Sequence, residues 1–473
     1  MKRKILALGA WMSVVVGLAS VAQGEYLTVY GSPGYDPNTG NGLQGYMPER
    51  GKKMVNDSGT AVGYADKYVG GTRAGQRAVR WDGSGAAGTE LEGLGVDPNG
   101  YTSYKARAIN TSGMIVGDAL KHSVGWRAVR WDASGTITEL DSVGTNASGY
   151  YAVSAVAVND AGTAVGWAVK QGYRTVRWDA DGAITELGNL GTKPDGSTGG
   201  GWDPMINASG TVVNSITKYV DGNDQGYRAV RWEAGGTAAT ELGNLGTDPN
   251  GITDVWARAI NGVGTAVGHA TKYDSGIGVG SCAVRWDAGG TAATELGNPL
   301  TDPNGTVTAD ALAINDSGTA VGYARTYVIG TGVGYRAVRW DAGGTAATEL
   351  GNLGTDPNGV TNAMGYAINT FGTAVGYAVK YVNGSSVGYR AVAWGLDGSA
   401  VDLNDLIDPN GGWTLADALY ISDTGWIVGN GHYDPDGAGG FDAYDRPYLL
   451  QIPEPGTLLL LGLGTLGMLR RRR

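Results

Sequence analysis

Cysteine is nearly absent from this chain. Cys282 is the single one in 473 residues, which excludes any disulfide within the chain. Histidine occurs three times, at His122, His269 and His432, in positions far apart. No nucleophile, base and orienting acid recur together, so a hydrolase triad cannot be assembled from the residues. Phenylalanine occurs twice. Basic charge is scarce as well, with 35 Lys and Arg against 45 Asp and Glu and a net charge of −10. Without the terminal basic clusters, the 35 fall to 28 and the balance becomes −17. That acidity argues against nucleic acid or anionic lipid as a partner. Between the two ends no 3.6-residue apolar period marks a helix.

What the chain has instead is glycine, 83 residues of it, falling at fixed offsets. The stretch from Ala311 to Gly359 shows the pattern. Four strand-like runs, Ala311 to Ile314, Thr319 to Tyr327, Tyr335 to Asp341 and Ala346 to Leu353, are separated by turn-forming clusters such as Asn315-Asp316-Ser317-Gly318 and Asp356-Pro357-Asn358-Gly359. In the second run Ala320, Gly322 and Ala324 alternate with Thr319, Val321 and Tyr323, giving one shaved face and one bulky face. Such a sheet buries neither face alone, but stacked copies bury both.

The Asn of the first turn recurs at Asn56, Asn110, Asn159, Asn207, Asn261, Asn315 and Asn369, with Ser422 in the eighth place. The spacings run from 48 to 54 residues. A strand ending in Trp recurs in step, at Trp81, Trp131, Trp178, Trp232, Trp286, Trp340 and Trp394. Buried contact between stacked units is the expected role of these rings, ahead of ligand platforms. A period near 50 with four strands per period predicts an all-β, closed eight-bladed β-propeller of four-stranded repeats over residues 25–452. The eighth repeat lacks a fourth strand, and Glu25 to Gly31 is expected to supply it, closing the ring.

Residues 1–24 open with Lys2, Arg3 and Lys4, continue through an apolar core and end in small residues. They read as a secretory signal peptide, the alternative being an anchor that stays on. At the other end, residues 453–473, Pro453-Glu454-Pro455 precedes an apolar run from Gly456 to Leu469 and then Arg470, Arg471, Arg472 and Arg473. The run is short for a membrane-spanning helix, and the basic cluster fixes its orientation. Gly462 to Gly467 matches a dinucleotide fingerprint as a string, but no strand precedes it and no acidic residue follows, so it is set aside.

This tail resembles the PEP-CTERM sorting signal of Gram-negative bacteria. The resemblance implies an exosortase-type membrane peptidase as partner, transient inner-membrane anchoring through a short transmembrane helix, and delivery to the cell surface or extracellular matrix. The body resembles the HAF family of extracellular repeats through Ile314-Asn315, Gly318, Val321-Gly322, Ala337, Trp340 and Leu350-Gly351-Asn352-Leu353-Gly354. Arg336-Ala337-Val338 stands where the family has His-Ala-Phe. The family itself implies no settled activity.

Candidate functional residues are few. Arg339 and Glu349, Arg231 and Glu241, Arg285 and Glu295, and Arg80 and Glu90 flank equivalent hairpins, and are expected to form cross-strand ion pairs that fix register. Asp434, Asp436, Asp442 and Asp445 have the spacing of a calcium loop, though Ala438 and the final Asp depart from it, leaving a solvated acidic turn as the default. No other cofactor is indicated. Antiparallel alternation places the loops between strands two and three on one face with those that lead to the next repeat. These loops are read as long and variable. They carry Tyr219, Tyr227, Tyr273, Tyr327, Tyr335, Tyr381 and Tyr389, with basic neighbours suited to stacking on sugars, or equally to packing. The fourth repeat diverges most, at Gly199 to Pro204 and at Asn214. The expected function is non-enzymatic binding at the surface or matrix, associated with exopolysaccharide. The alternatives are a carbohydrate-active lyase or hydrolase on the same scaffold, or a purely structural matrix component.

Overall fold

The computed structural model describes residues 27–29, 45–46, 52–83, 88–201, 203–298, 307–328, 331–434 and 444–452. The fold is all-β, and each repeat supplies one antiparallel group of four strands. The sixth repeat is representative: Val307–Ile314, Ala320–Val328, Thr331–Trp340 and Ala347–Glu349 pair in sequence order.

The expected closed eight-bladed propeller is not what the strands form. They assemble into six sheets, four of four strands and two of eight, and none of them closes on itself. The larger sheets arise where an inner strand pairs in parallel with the third strand of the preceding repeat, at Tyr151↔Gly125 and Val307↔Gly280. Gly125 and Gly280 have φ of 113° and 123°. A Cβ on either would lie within 2.3 Å of the Tyr151 or Val307 carbonyl oxygen. Only glycine lets the next backbone approach so closely; Gly75, Gly172, Gly226 and Gly334 approach as near, but at Gly125 and Gly280 the contact extends into strand pairing that joins two units in one sheet. Leu27–Val29 pairs antiparallel with Tyr444–Gln451, in register Leu27↔Leu450, and adds to the last group, whose sheet is likewise open.

The expected signal peptide and the expected sorting helix lie outside the described residues. Among the described residues the one helical element is the short turn Leu403–Leu406, and no helix is long and apolar enough to cross a membrane.

Three repeated side chains fasten each unit to its neighbours. The Trp of the third strand is buried, and its indole donates to a carbonyl of the preceding unit: Trp232 to Gly188 at 3.1 Å, Trp286 to Gly243 at 2.9 Å, Trp340 to Gly297 at 2.8 Å. The turn Asn uses its Oδ1 to hold its own turn, while its Nδ2 donates to the next unit's turn. Asn261 reaches Asn315 O and Asn315 reaches Asn369 O, each at 3.0 Å. At the end of the series Asn369 reaches Ser422 O, and the Asp423 amide donates to Asp57 of the first unit at 3.0 Å. The two ends of the chain of units are thus joined by turn-to-turn hydrogen bonds and not by a continuous sheet.

The third fastener corrects the expected ion pairs. Arg339 stands opposite Thr348, and Val338 stands opposite Glu349. Successive side chains of a strand point to opposite faces, so Arg339 is turned away from Glu349. The residue that pairs with Glu349 is Arg336, at 3.1 Å, as Arg228 pairs with Glu241 at 3.1 Å and Arg77 with Glu90 at 3.2 Å. The displaced arginines reach the next unit instead: Arg231 to Gly290 O at 2.8 Å, Arg285 to Gly344 O at 2.8 Å, Arg339 to Leu396 O at 2.7 Å, and Arg80 to Ala133 O. Each ties two units through a charge-assisted hydrogen bond.

Candidate functional site

The loops between strands two and three are short, contrary to the sequence reading. Ala374–Val382 and Ser385–Trp394 are joined by Asn383 and Gly384 alone, at φ 51° and 77°. Two consecutive positive φ values make the two-residue turn that matches the twist of a hairpin, and Asn-Gly takes it at least cost. Asp221-Gly222 and Ser275-Gly276 repeat the geometry. The strands therefore run further than the turn residues suggested, each pair taking up a bulge such as that between Val379 and Tyr381.

This places the seven candidate tyrosines on strands, in two sets. Tyr219, Tyr273 and Tyr381 lie near the hairpin ends and back onto the Leu-Gly segment of the preceding unit; their amides donate to Leu190 O at 2.9 Å, Leu245 O at 3.1 Å and Leu353 O at 3.0 Å. Lys193 lies over the Tyr219 ring and Arg325 over the Tyr327 ring. Packing accounts for this outer set. The inner set meets other rings: Tyr335 edge-on to Tyr323 at 5.3 Å, Tyr389 edge-on to Tyr377 at 5.3 Å, and Tyr227 against Trp256 at 4.4 Å. Tyr389 stays 59% exposed.

One grouping was not legible beforehand. Second-strand residues following Val-Gly differ from unit to unit, as in Asp118, Trp167, His269 and Tyr323. At the junction of the fifth and sixth units this freedom assembles Arg258, His269 and Asp310. Arg258 Nε lies 3.1 Å and His269 Nδ1 2.9 Å from Asp310 Oδ2, and the Trp256 ring stacks on His269. At the second and third units the same slots hold Arg107, Asp118 and Ser154, with Ser154 Oγ donating to Asp118 at 2.9 Å. Asp310 is 3% exposed, and its Oδ1 is enclosed without a hydrogen-bond partner. Arg258 and His269 belong to one unit and Asp310 to the next, so the cluster joins the two. The only signal in the sequence was the slot's failure to repeat.

Asp436 and Asp442 of the calcium spacing lie outside the described residues. Asp445 sits 2.5 Å from His432 Nδ1, and the Asp434 amide donates to Gly412 O at 2.7 Å. Among the described residues no three His, Cys, Asp or Glu are placed to hold a metal. Cys282 is buried, and burial with the nearby Glu295 carboxylate pushes its thiol up to about 12, far from a reactive thiolate.

The fourth repeat's divergence has a structural account. Elsewhere the glycine of Val-Gly faces an inner-strand carbonyl, and a Cβ on Gly322 would lie 2.0 Å from Asp310 O. The fourth unit has Asn214 there, which bonds Thr175 Oγ1 at 3.0 Å and Gly201 O at 3.1 Å. Its inner strand is cut to Met205–Ile206. Lys52 of the first unit, 1% exposed, fills in beside it, donating to Pro204 O at 3.1 Å and pairing with Asp203 at 2.5 Å.

Comparison with known proteins agrees with the export signal. Residues 451–473 match the PEP-CTERM protein-sorting motif, which marks an exported protein of Gram-negative bacteria and implies processing by an exosortase. Residues 283–436 match a protein family of unknown function, DUF3466; neither match carries the HAF-type repeats. No curated protein matches this sequence. Similar solved structures include the β-propeller domain of the Trilobed protease from Pyrococcus furiosus, at 10% identity and TM-score 0.44, covering 78% of this chain and 97% of that one. A GH74 xyloglucanase from Xanthomonas campestris aligns at 12% identity and TM-score 0.38, covering 85% and 68%. The polysaccharide lyase Uly1 aligns at 10% identity and TM-score 0.34, covering 82% and 94%. Likeness at this level transfers no activity.

Proposed function

We propose that this exported protein is a cell-surface or matrix component that binds polysaccharide and does not transform it. The observation behind this reading is the inner row of tyrosines. Tyr323 with Tyr335 and Tyr377 with Tyr389 repeat a paired-ring arrangement on adjacent units, and the last ring is open to solvent. Aromatic rings at a repeat spacing suit a polymer whose sugar rings also repeat. The glutamates that the repeats share are engaged by cations of their own unit, as Glu241 is by Lys218 at 2.7 Å and by Arg228, which supports binding over catalysis. Replacing Tyr227, Tyr335 and Tyr389 together by Ala is expected to weaken retention on matrix polysaccharide while the fold persists. Retention equal to the parent would leave these rings a packing role. Intact mass of the surface fraction tests the location: a mature species lacking Gly456 to Arg473 is expected, and one still ending at Arg473 would mean an ordinary anchored protein.

A further inference from the structure

The turns at Asn315 and Asn369 share a face with the turns between strands three and four, the opposite face from the hairpin ends. Between the sixth and seventh units this face holds an open groove of about 150 Å³, room for one sugar-sized group and less than a drug-sized site. Two of its walls break the repeat. Phe371 stands where Ser58, Ser112, Ser209 and Ser317 stand in other units, and Leu396 stands where Ala133, Ala234, Ala288 and Ala342 stand. Both are left in solvent, at 57% and 61% exposed. In the second, fourth and sixth units the turn folds with a serine hydroxyl in one slot and an alanine methyl in the other, although the fifth carries an exposed Val263 in the first slot. The fold therefore gains nothing from the larger side chains, and exposing them costs free energy unless something covers them.

The remaining lining is polar and already fixed. Arg339 Nε holds Asp341 Oδ1 at 3.0 Å while its Nη1 donates to Leu396 O at 2.7 Å. Ser317 Oγ donates to Asn315 Oδ1 at 2.7 Å, and Thr319 completes the wall. An aromatic ring and an isobutyl group beside an ordered carboxylate and hydroxyls match the two kinds of surface of a pyranose, the C–H face and the equatorial hydroxyls. The carboxylate beside the groove disfavours an acidic sugar, and the prepaired arginine lowers the ordering cost of binding. We infer that this groove binds one neutral pyranose unit of a polysaccharide. The inference rests on the polysaccharide reading for the polymer class but not on the tyrosine face.

The released protein run through native gels containing dextran, xyloglucan or alginate tests it. Retardation by a neutral polymer is expected, and Phe371→Ser with Leu396→Ala, which restores the residues of the other units, should lower apparent affinity at least tenfold with the melting temperature unchanged. Tyr389→Ala should leave the groove-dependent part intact. Equal retardation of the parent and the groove variant would overturn the assignment, even if the tyrosine variant still supports polysaccharide binding at the other face. Stronger retardation by alginate than by the neutral polymers would overturn the neutral class. A parent dimer that the groove variant turns into monomer, with retardation unaltered, would overturn it in favour of a second copy as occupant.

Discussion

The fourth unit differs from the six that follow the common plan in one respect. Its described inner strand is two residues long, Met205–Ile206, whereas theirs run from six to nine. A four-stranded unit without its inner strand leaves the second strand short of hydrogen bonds and of cover. The first unit supplies part of what is missing: Lys52 buries its stem and ammonium against Pro204 and Met205 of the fourth. Divergence within a repeat protein is thus as much a sign of a shared structural repair as of a catalytic mouth.

The largest expected effect comes from the fasteners common to both kinds of unit. Trp232→Ala in the fourth and Trp340→Ala in the sixth should each cost about 3–5 kcal/mol, with the fourth the greater because its inner strand contributes less. Equal shifts in denaturant midpoint would break the comparison. Lys52→Ala should cost about 2 kcal/mol by leaving the Pro204 carbonyl without its donor. Lys53→Ala, whose ammonium is 3.7 Å from Asp160 on a part-exposed surface, should fall below about 0.5 kcal/mol. Similar losses for the two lysines would show that the fourth unit does not depend on Lys52.

Acid gives a smaller, graded test. Burial alone would raise the Glu90 carboxyl, but hydrogen bonds from Lys67 and Tyr104 and the Lys67 and Arg77 charges outweigh it, so the group sits below its ordinary value. A depressed carboxyl stabilises fully above its unfolded pKa, about 4.3, and that contribution is lost as pH falls through the folded value. Glu90→Gln should therefore flatten the acid limb of the stability curve; an unchanged limb would remove Glu90 from the account. The smallest effect is at Cys282, which replaces the arginine of the other units, so that Lys272 holds Glu295 at 2.9 Å. Alkylation of the native protein at pH 8 should proceed only as fast as unfolding exposes the thiol, and rapid labelling would contradict its burial.

The repeat unit, its turns and the burial of its tryptophans were legible because each depends on local spacing. Arg336 against Arg339 was not, since both lie within hairpin reach of Glu349 and only the register decides which faces it. Gly125 and Gly280 look like turn glycines in the sequence; their use as points of parallel contact appears only once the next unit is in place. The Arg258, His269 and Asp310 lock draws on two units, and Lys52 with Pro204 on residues 152 apart, distances at which a single sequence holds no pairing signal. The Phe371 groove was not read from the sequence: an odd residue in a regular slot gives neither the groove's volume nor its ordered arginine.

The pairing of Leu27–Val29 with the last strand has a mechanical meaning. With Leu27 opposite Leu450 and Val29 opposite Tyr448, the chain enters and leaves at the same end of that ladder. A load applied between the two ends peels the short strand off one hydrogen bond at a time, where an opposed geometry would have to shear all of them at once. Under such a load the three residues of Leu27–Val29 are the first part of the ladder to part, so the short strand sets the force at which the last unit opens.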